Sequence, residues 1–512
     1  MDTLRELALI LTRNKVKSIE ILDVRKHKES KINEFYYKLT EEAFQSDEEA
    51  ADYFYPKKMG GSNYRKLKAA LKNRMINSLF FIDAKRSNYT KRQSAYYECY
   101  KDWAAANILL GKNAYASCVE LCEKTLRYAT KYEFTELIRD IARVLRLHYG
   151  AQVGDVKNYR VYRDLFEQYD EQCRWENMVE RYYSDVMIEF VNSKGQKDHL
   201  LEEVNGYLER IAEPMQRIFS YRFHLYGNLL QLLKFSLTNN YDGILYSATS
   251  MTAFFEKKEY QATTPLQIAY YYQLVACTQL GQYEVGKSVA ERCLCLLKEG
   301  SFNWFKYYEL YYLLAMHSGE YKEGYHILRK VYDHPRMKYL PANAREIWTI
   351  FRAYVYYLIE GGHIQLNEEE NSFSKFRLGR FMNETPIFSK DKRGMNIAIL
   401  IIQVLYLIQQ EKYNVAIDKL ESLQKYCARY LHKDETIRSY YFLKMLLTIP
   451  AASFHRVAVE RKSASYYQKL TVIPLEDTNQ TYKIEILPYE KLWELALASL
   501  STKSYRRRAS SN

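Results

Sequence analysis

Small and apolar residues return along the middle of the chain in a fixed ladder. A tyrosine just after a short turn is followed at +3, +7 and +10 by side chains of the kind that pack between helices. Tyr115 is followed by Cys118, Cys122 and Thr125, and Tyr283 by Gly286, Ala290 and Cys293. Tyr321 is followed by Gly324, Leu328 and Val331, and Tyr413 by Ala416, Leu420 and Leu423. Steps of three and four residues place each ladder on one face of an α-helix. Looser copies start at Tyr159 and Tyr241. If the two widest gaps between anchors each hide one unmarked copy, the period is 38 to 46 residues, which predicts about eight or nine helical hairpins over residues 93–450.

Outside the ladder the pattern changes. Ser46-Asp47-Glu48-Glu49 is a capping-box signature for a short helix ending near Pro56. After a Gly-containing turn at 57–62, Tyr64, Leu67, Leu71, Met75, Leu79 and Ile82 predict an amphipathic helix over 63–82, with Arg65, Lys68 and Lys72 on a shared polar side. Helix, turn and basic helix together outline a helix-turn-helix unit. Residues 365–394 interrupt the repeat with Phe373, Phe376 and Phe381 on a predicted short helix, then a basic loop holding Lys390, Lys392 and Arg393. Near the C-terminus, 470–473 and 482–486 flank a turn-rich stretch and predict a small β-hairpin. A capping helix with Leu492, Trp493, Leu495 and Leu497 follows. The division is therefore 1–92, a helical region with the basic helix; 93–450, the repeat; 451–502, hairpin and cap; and 503–512, a disordered basic tail.

The segments Leu280-Gly281-Gln282-Tyr283-Glu284-Val285-Gly286 and Ser318-Gly319-Glu320-Tyr321-Lys322-Glu323-Gly324 resemble the turn and second-helix start of tetratricopeptide repeats. Pro335, after Val331-Tyr332-Asp333-His334, matches that family's terminating proline. The resemblance implies an all-α fold, a right-handed α-solenoid of tetratricopeptide-like hairpins whose concave face takes a protein or peptide segment. The period is longer than that family's 34 residues and overlaps HEAT-type repeats, so HEAT-like geometry stays open. The chain as a whole also resembles tetratricopeptide-like proteins of bacteria, most visibly over 62–83 and 389–394.

Composition narrows the field. With 18 Gly and 9 Pro in 512 residues, the chain is poor in the residues that turn sandwiches, barrels and propellers. Its eight cysteines form no Cys-x-x-Cys pair and read as buried thiols of a reducing compartment. The start, MDTLRELALILTRNK, lacks the pattern of an export signal, and the apolar run 395–408 is too short to span a bilayer. A cytoplasmic protein without a membrane span is expected.

Charge adds a second functional reading. Of the net charge of +13, residues 57–92 carry +10 and the tail +4, leaving the rest near neutral. Lys57, Lys58, Arg65, Lys66, Lys68, Lys72 and Arg74 form a block that can meet phosphate, so a nucleic-acid-binding regulator is the alternative to a protein-binding scaffold.

Catalytic patterns are missing from the sequence: there is no Gly-x-Ser-x-Gly, no His-Glu-x-x-His and no phosphate loop. The histidines do not pair at ligand spacing, and Cys118 and Cys122 share a helix face where packing explains them. No enzyme, cofactor or metal is expected. Tyrosine, at 50 residues, is the one unusual abundance. It falls in doublets on predicted first helices, and since neighbours on a helix diverge by about 100°, one member packs and the other reaches an edge. Tyr271, Tyr272, Tyr307, Tyr308, Tyr311 and Tyr356 are the candidate groove aromatics.

Overall fold

The computed structural model describes residues 30–41, 43–56, 60–83, 89–192, 197–367, 381, 395–430, 437–473 and 485–500. Among the described residues the chain is all-α, with twenty-one α-helices, one π-helical and one 3-10 segment, and no strand. None of these helices is long and apolar enough to cross a membrane. The chain divides into two compact units, Met1–Asn177 with Glu259–Gln261, and Met178–Lys258 with Ala262–Asn512.

In the first unit, α1 (Lys31–Thr40), α2 (Asp47–Phe54) and α3 (Gly60–Leu79) close around Phe35, Ala50, Phe54, Tyr64, Leu67 and Leu71. Half of the capping signature forms: Ser46 Oγ accepts from the Glu49 N–H at 3.3 Å, whereas Glu49 Oε2 accepts from the N–H of Gln45, one residue before the cap, at 2.8 Å. Then follow α4 (Lys91–Gly111), α5 (Tyr115–Lys131), α6 (Thr135–Leu147) and a π-helical turn, His148–Val153. Next comes α7 (Val156–Asn192), 37 residues long, inside which the division between the units falls.

The second unit continues with α8 (Lys197–Ala212) and the short α9 (Pro214–Arg217). Hairpins α10 (Tyr221–Leu237) with α11 (Tyr241–Glu256), α12 (Thr263–Gln279) with α13 (Tyr283–Cys295), and α14 (Phe302–His317) with α15 (Tyr321–Asp333) come next. Pro335 opens a 3-10 turn, Pro335–Tyr339, before α16 (Ala342–Glu360). Hairpins α17 (Met395–Gln409) with α18 (Tyr413–Tyr430) and α19 (Ile437–Ala451) with α20 (Arg456–Thr471) precede the final helix, α21 (Tyr489–Ala498).

Five hairpins, α4/α5, α10/α11, α12/α13, α14/α15 and α17/α18, are closed by one and the same turn. Asn113, Asn239, Gly281, Gly319 and Glu411 have φ of 59, 52, 65, 81 and 57°. Each stands two residues before the tyrosine that opens the second helix: Tyr115, Tyr241, Tyr283, Tyr321 or Tyr413. The intervening residue sends its N–H back five positions, as from Ala114 to Leu109 at 3.0 Å, Gln282 to Cys277 at 2.9 Å and Lys412 to Leu407 at 2.9 Å. This is a Schellman closure, which satisfies carbonyls that the first helix leaves unpaired.

The ladder then faces inward, and its non-glycine members are 2 % exposed or less. The glycines mark the closest approaches. A Cβ on Gly286 would stand 2.5 Å from Leu314 Cδ2 and 3.0 Å from Cys277 Cβ, and one on Gly324 would stand 2.8 Å from Met316 Sδ.

Three expectations are corrected. Tyr159 sits in the first turn of α7 without this closure before it, so it anchors no hairpin. The basic helix begins at Gly60 and ends at Leu79, so Ile82 lies beyond it. The first arm of the expected β-hairpin is helical: Leu470 and Thr471 end α20, and Leu470 completes its buried stripe. The carbonyls of Leu470 and Ile473 accept from the Arg438 guanidinium at 3.2 and 2.5 Å. In the other arm, Ile486 and Leu487 are both buried, where a strand would send adjacent side chains to opposite faces. The intervening residues 474–484 lie outside the described residues, as do Phe373, Phe376 and the tail 503–512.

Candidate functional site

The second unit has an open cleft where α15 passes through the 3-10 turn into α16. It encloses about 630 Å³ and is lined by Tyr332, His334, Lys338, Arg345, Glu346 and Thr349, among others. The sequence of α16 shapes one wall. Ala344, Trp348, Phe351 and Val355 are buried on one side, which leaves Arg345, Thr349, Arg352 and Tyr356 in a row at helical spacing on the other. The Arg352 guanidinium lies 5.3 Å from the Tyr332 ring centre and 5.5 Å from that of Tyr356, within cation–π range of both. Burial raises the Tyr332 and Tyr356 pKa values, and Arg352 works against that rise in each case.

His334 closes the inner end of the cleft against Trp304 and Phe305, with ring centres 5.1 and 5.5 Å away. Its Nδ1 accepts from the Arg336 N–H at 3.1 Å. Arg345 and Lys338 line the cleft and Arg352 stands against the rings of Tyr332 and Tyr356 one step further along α16, a cationic, aromatic setting that suits a carboxylate-bearing, extended ligand. Of this set the sequence pointed only to Tyr356. The signal for the rest was the alternation of Arg345, Thr349, Arg352 and Tyr356 with a buried stripe.

The other candidate aromatics are placed differently. Tyr307, Tyr308 and Tyr311 are buried, because α14 is enclosed on nearly every side. Tyr307 donates to the Gln267 carbonyl, Tyr308 packs on Trp304 at 4.4 Å, and Tyr311 donates to Glu323 Oε1 at 3.0 Å. Tyr307 and Tyr311 thus bond to neighbouring helices, and Tyr308 meets α15 through Lys330, 5.5 Å from its ring centre. Tyr271 and Tyr272 are half-buried and meet edge to face at 5.4 Å.

In the first unit, Arg65, Lys66, Lys68 and Lys72 are exposed on α3 and Arg74 is half-buried. Lys68 is engaged with Asp47 at 2.6 Å. Asp47 also accepts from the Tyr64 hydroxyl at 2.7 Å, and the bond from Lys68 leads the causes that lower its pKa. The predicted apolar stripe splits: Tyr64, Leu67 and Leu71 are buried, whereas Met75 and Leu79 are 40 and 60 % exposed. Helices α1 and α2 reach only the first half of α3, so the second half borders a groove of about 580 Å³ with Leu39 and Phe44 on its far side. Lys57, Lys58, Lys390, Lys392 and Arg393 lie outside the described residues.

The buried thiols of Cys99, Cys122 and Cys277 are poor nucleophiles. Burial raises Cys99 to about 12 and Cys277 to about 11, and the hydrogen bond between the Cys122 thiol and Cys118, followed by burial, raises Cys122. At neutral pH these groups stay protonated, and the thiolate is the reactive form.

Comparison with known proteins gave no matching family model, no matching curated protein and no matching solved structure.

Proposed function

We propose that the chain is a non-catalytic scaffold or adaptor. In this reading the hairpins of the second unit stack as a right-handed, tetratricopeptide-like solenoid, and the cleft between α15 and α16 holds an extended protein or peptide segment. The observation that carries the reading is the recurrence of one closure, one anchoring tyrosine and one buried ladder in successive hairpins. Units closed identically set their first helices in equivalent positions, and a helix left open on one side, unlike the enclosed α14, offers a row of side chains to a ligand. On α16 that row is Arg345, Thr349, Arg352 and Tyr356, which favours segments carrying carboxylates.

The intact protein, offered a random displayed-peptide library, should enrich acidic segments. Arg345→Ala with Arg352→Ala should weaken the selected peptide at least about tenfold, roughly 1.4 kcal/mol, with an unchanged circular dichroism spectrum. A flat selection, or binding indifferent to both substitutions, overturns the reading.

A second reading, a nucleic-acid-binding regulator, is favoured by the exposed cations Arg65, Lys66 and Lys72 on α3. It requires DNA or RNA affinity that falls steeply with salt and is lost when these three become Gln. Undetectable binding at low salt removes it.

A further inference from the structure

In the second unit, the part of α7 after Asn177 and helix α8 run antiparallel to one another. Tyr182 of α7 stacks on Tyr207 of α8 with ring centres 4.0 Å apart and planes 10° from parallel, which fixes their register. One turn and two turns back along α8 from Tyr207 stand Glu203 and His199, and Glu189 faces them from α7. Glu189, His199 and Glu203 each bring one ligand atom to within 4.8 Å of the others. His199 Nδ1 lies 4.0 Å from Glu189 Oε2, too far for a hydrogen bond.

Glu203 is held in place from behind. Its Oε1 accepts from the Tyr207 hydroxyl at 2.6 Å, and the Arg210 guanidinium lies 5.9 Å from the Tyr207 ring centre. Its other oxygen, Oε2, is shut off from solvent and has no hydrogen-bond partner. A carboxylate oxygen shut off from water without a donor is an open acceptor, and a cation would satisfy it.

We propose that Glu189, His199 and Glu203 bind a divalent transition-metal ion of the zinc type, with one imidazole nitrogen, two carboxylate oxygens and a fourth position for water. Two carboxylates and a neutral imidazole match a dication in charge. The nitrogen donor selects zinc-like ions over calcium and magnesium, which prefer all-oxygen shells. Metal bonds of about 2.0–2.2 Å in a tetrahedron need ligand atoms about 3.3 Å apart. The His199 and Glu189 side chains, 70 and 47 % exposed, are free to close that gap by rotation, while Glu203 is already oriented. Tyr207 is then a positioning residue that fixes the ligand carboxylate. The ion would clamp the end of α7 to the start of α8, a structural role for a site with a single closed edge.

The test uses the untagged full chain stripped with a chelator and titrated with Zn²⁺ alone. One ion per chain should bind, Co²⁺ in its place should give the visible absorption of tetrahedral cobalt, and the thermal midpoint should rise. His199→Ala and Glu189→Gln, both at exposed positions, should each weaken Zn²⁺ at least about tenfold, and Tyr207→Phe by about 10- to 100-fold. His199→Ala and Glu189→Gln should leave the metal-free thermal midpoint close to that of the parent, whereas Tyr207→Phe should lower it somewhat, since Glu203 Oε1 then loses its donor. No stoichiometric uptake overturns the proposal, and so does uptake that survives His199→Ala and Glu189→Gln, since the ion would then sit elsewhere.

Discussion

Tyrosine has a particular task in this chain: its hydroxyl reaches from one first helix to the backbone of the next. Tyr312 donates to the Phe351 carbonyl at 2.9 Å, Tyr354 to Ala398 at 3.1 Å and Tyr406 to Ala353 at 2.8 Å, with partners 39, 44 and 53 residues away. The first two separations fall within the 38–46-residue period, and the third is longer. A buried hydroxyl needs a partner, and a helical carbonyl has a spare lone pair, so each ring contributes apolar area and one directional bond. Burial raises the Tyr312 pKa well above its ordinary value, which keeps the group a donor. Tyr312→Phe and Tyr406→Phe keep the rings and remove only the bonds. Each should cost about 0.5–1.5 kcal/mol in urea unfolding, and their sum should hold in the double variant only if the two bonds are independent. A negligible loss in both would mean that the rings alone join the helices.

At the scale of the element, the turn decides which hairpins could be read in advance. Gly281 and Gly319 occupy the left-handed position with open space around them, and there the sequence shows a Gly two residues before the anchoring Tyr. Asn113, Asn239 and Glu411 hold the same conformation without glycine, which is why those copies look degenerate although their geometry is the same. The turn also joins α5 to α6 at Glu133, where no tyrosine follows, so the anchor marks some turns and misses others.

Left-handed backbone at a Cβ-bearing residue costs about 1–2 kcal/mol, part of which glycine returns through a freer unfolded chain. Glu411→Gly should therefore stabilise the protein by about 0.5–1 kcal/mol, and Gly319→Ala should destabilise it by about 1 kcal/mol. Shifted urea midpoints at constant slope are the expected readout. The cleft was less legible than the turns, because Tyr332, Lys338 and Arg345 come from three successive elements whose convergence depends on the 3-10 turn at Pro335. The Glu189, His199 and Glu203 group shows only a His-x-x-x-Glu spacing in sequence. The third member is brought in by the pairing of α7 with α8, so a search for paired histidines or cysteines passes over it.

At the scale of the whole molecule, pH acts through two histidines buried in the second unit. His317, at the end of α14, meets the Glu485 carbonyl through Nε2. Glu485 itself is paired with Arg438 at 2.8 Å, and Arg438 reaches Glu490 at 2.7 Å. This contact ties the segment before α21 to a helix 168 residues earlier. Burial is the main cause that lowers His317 to about 4, and it also lowers His224, stacked on Phe254 at 3.8 Å, to about 4.

In the unfolded chain both histidines titrate near 6.5. Between about 6.5 and 4 the unfolded state therefore binds protons that the native state refuses, so stability is fully present above 6.5 and falls as pH falls through that window. A shift of this size is worth at most about 3 kcal/mol per histidine. Glu485 acts in the opposite sense, since burial raises its pKa and acid relieves that penalty. His317→Gln keeps a donor near the Glu485 carbonyl and removes the titration. Urea midpoints measured from about pH 7 to pH 4.5 should fall less steeply in the variant than in the parent, by roughly half if His224 carries the other share. Parallel curves would show that the contact between α14 and the segment before α21 opens before its histidine is protonated, and that the two parts of the second unit separate in acid without unfolding.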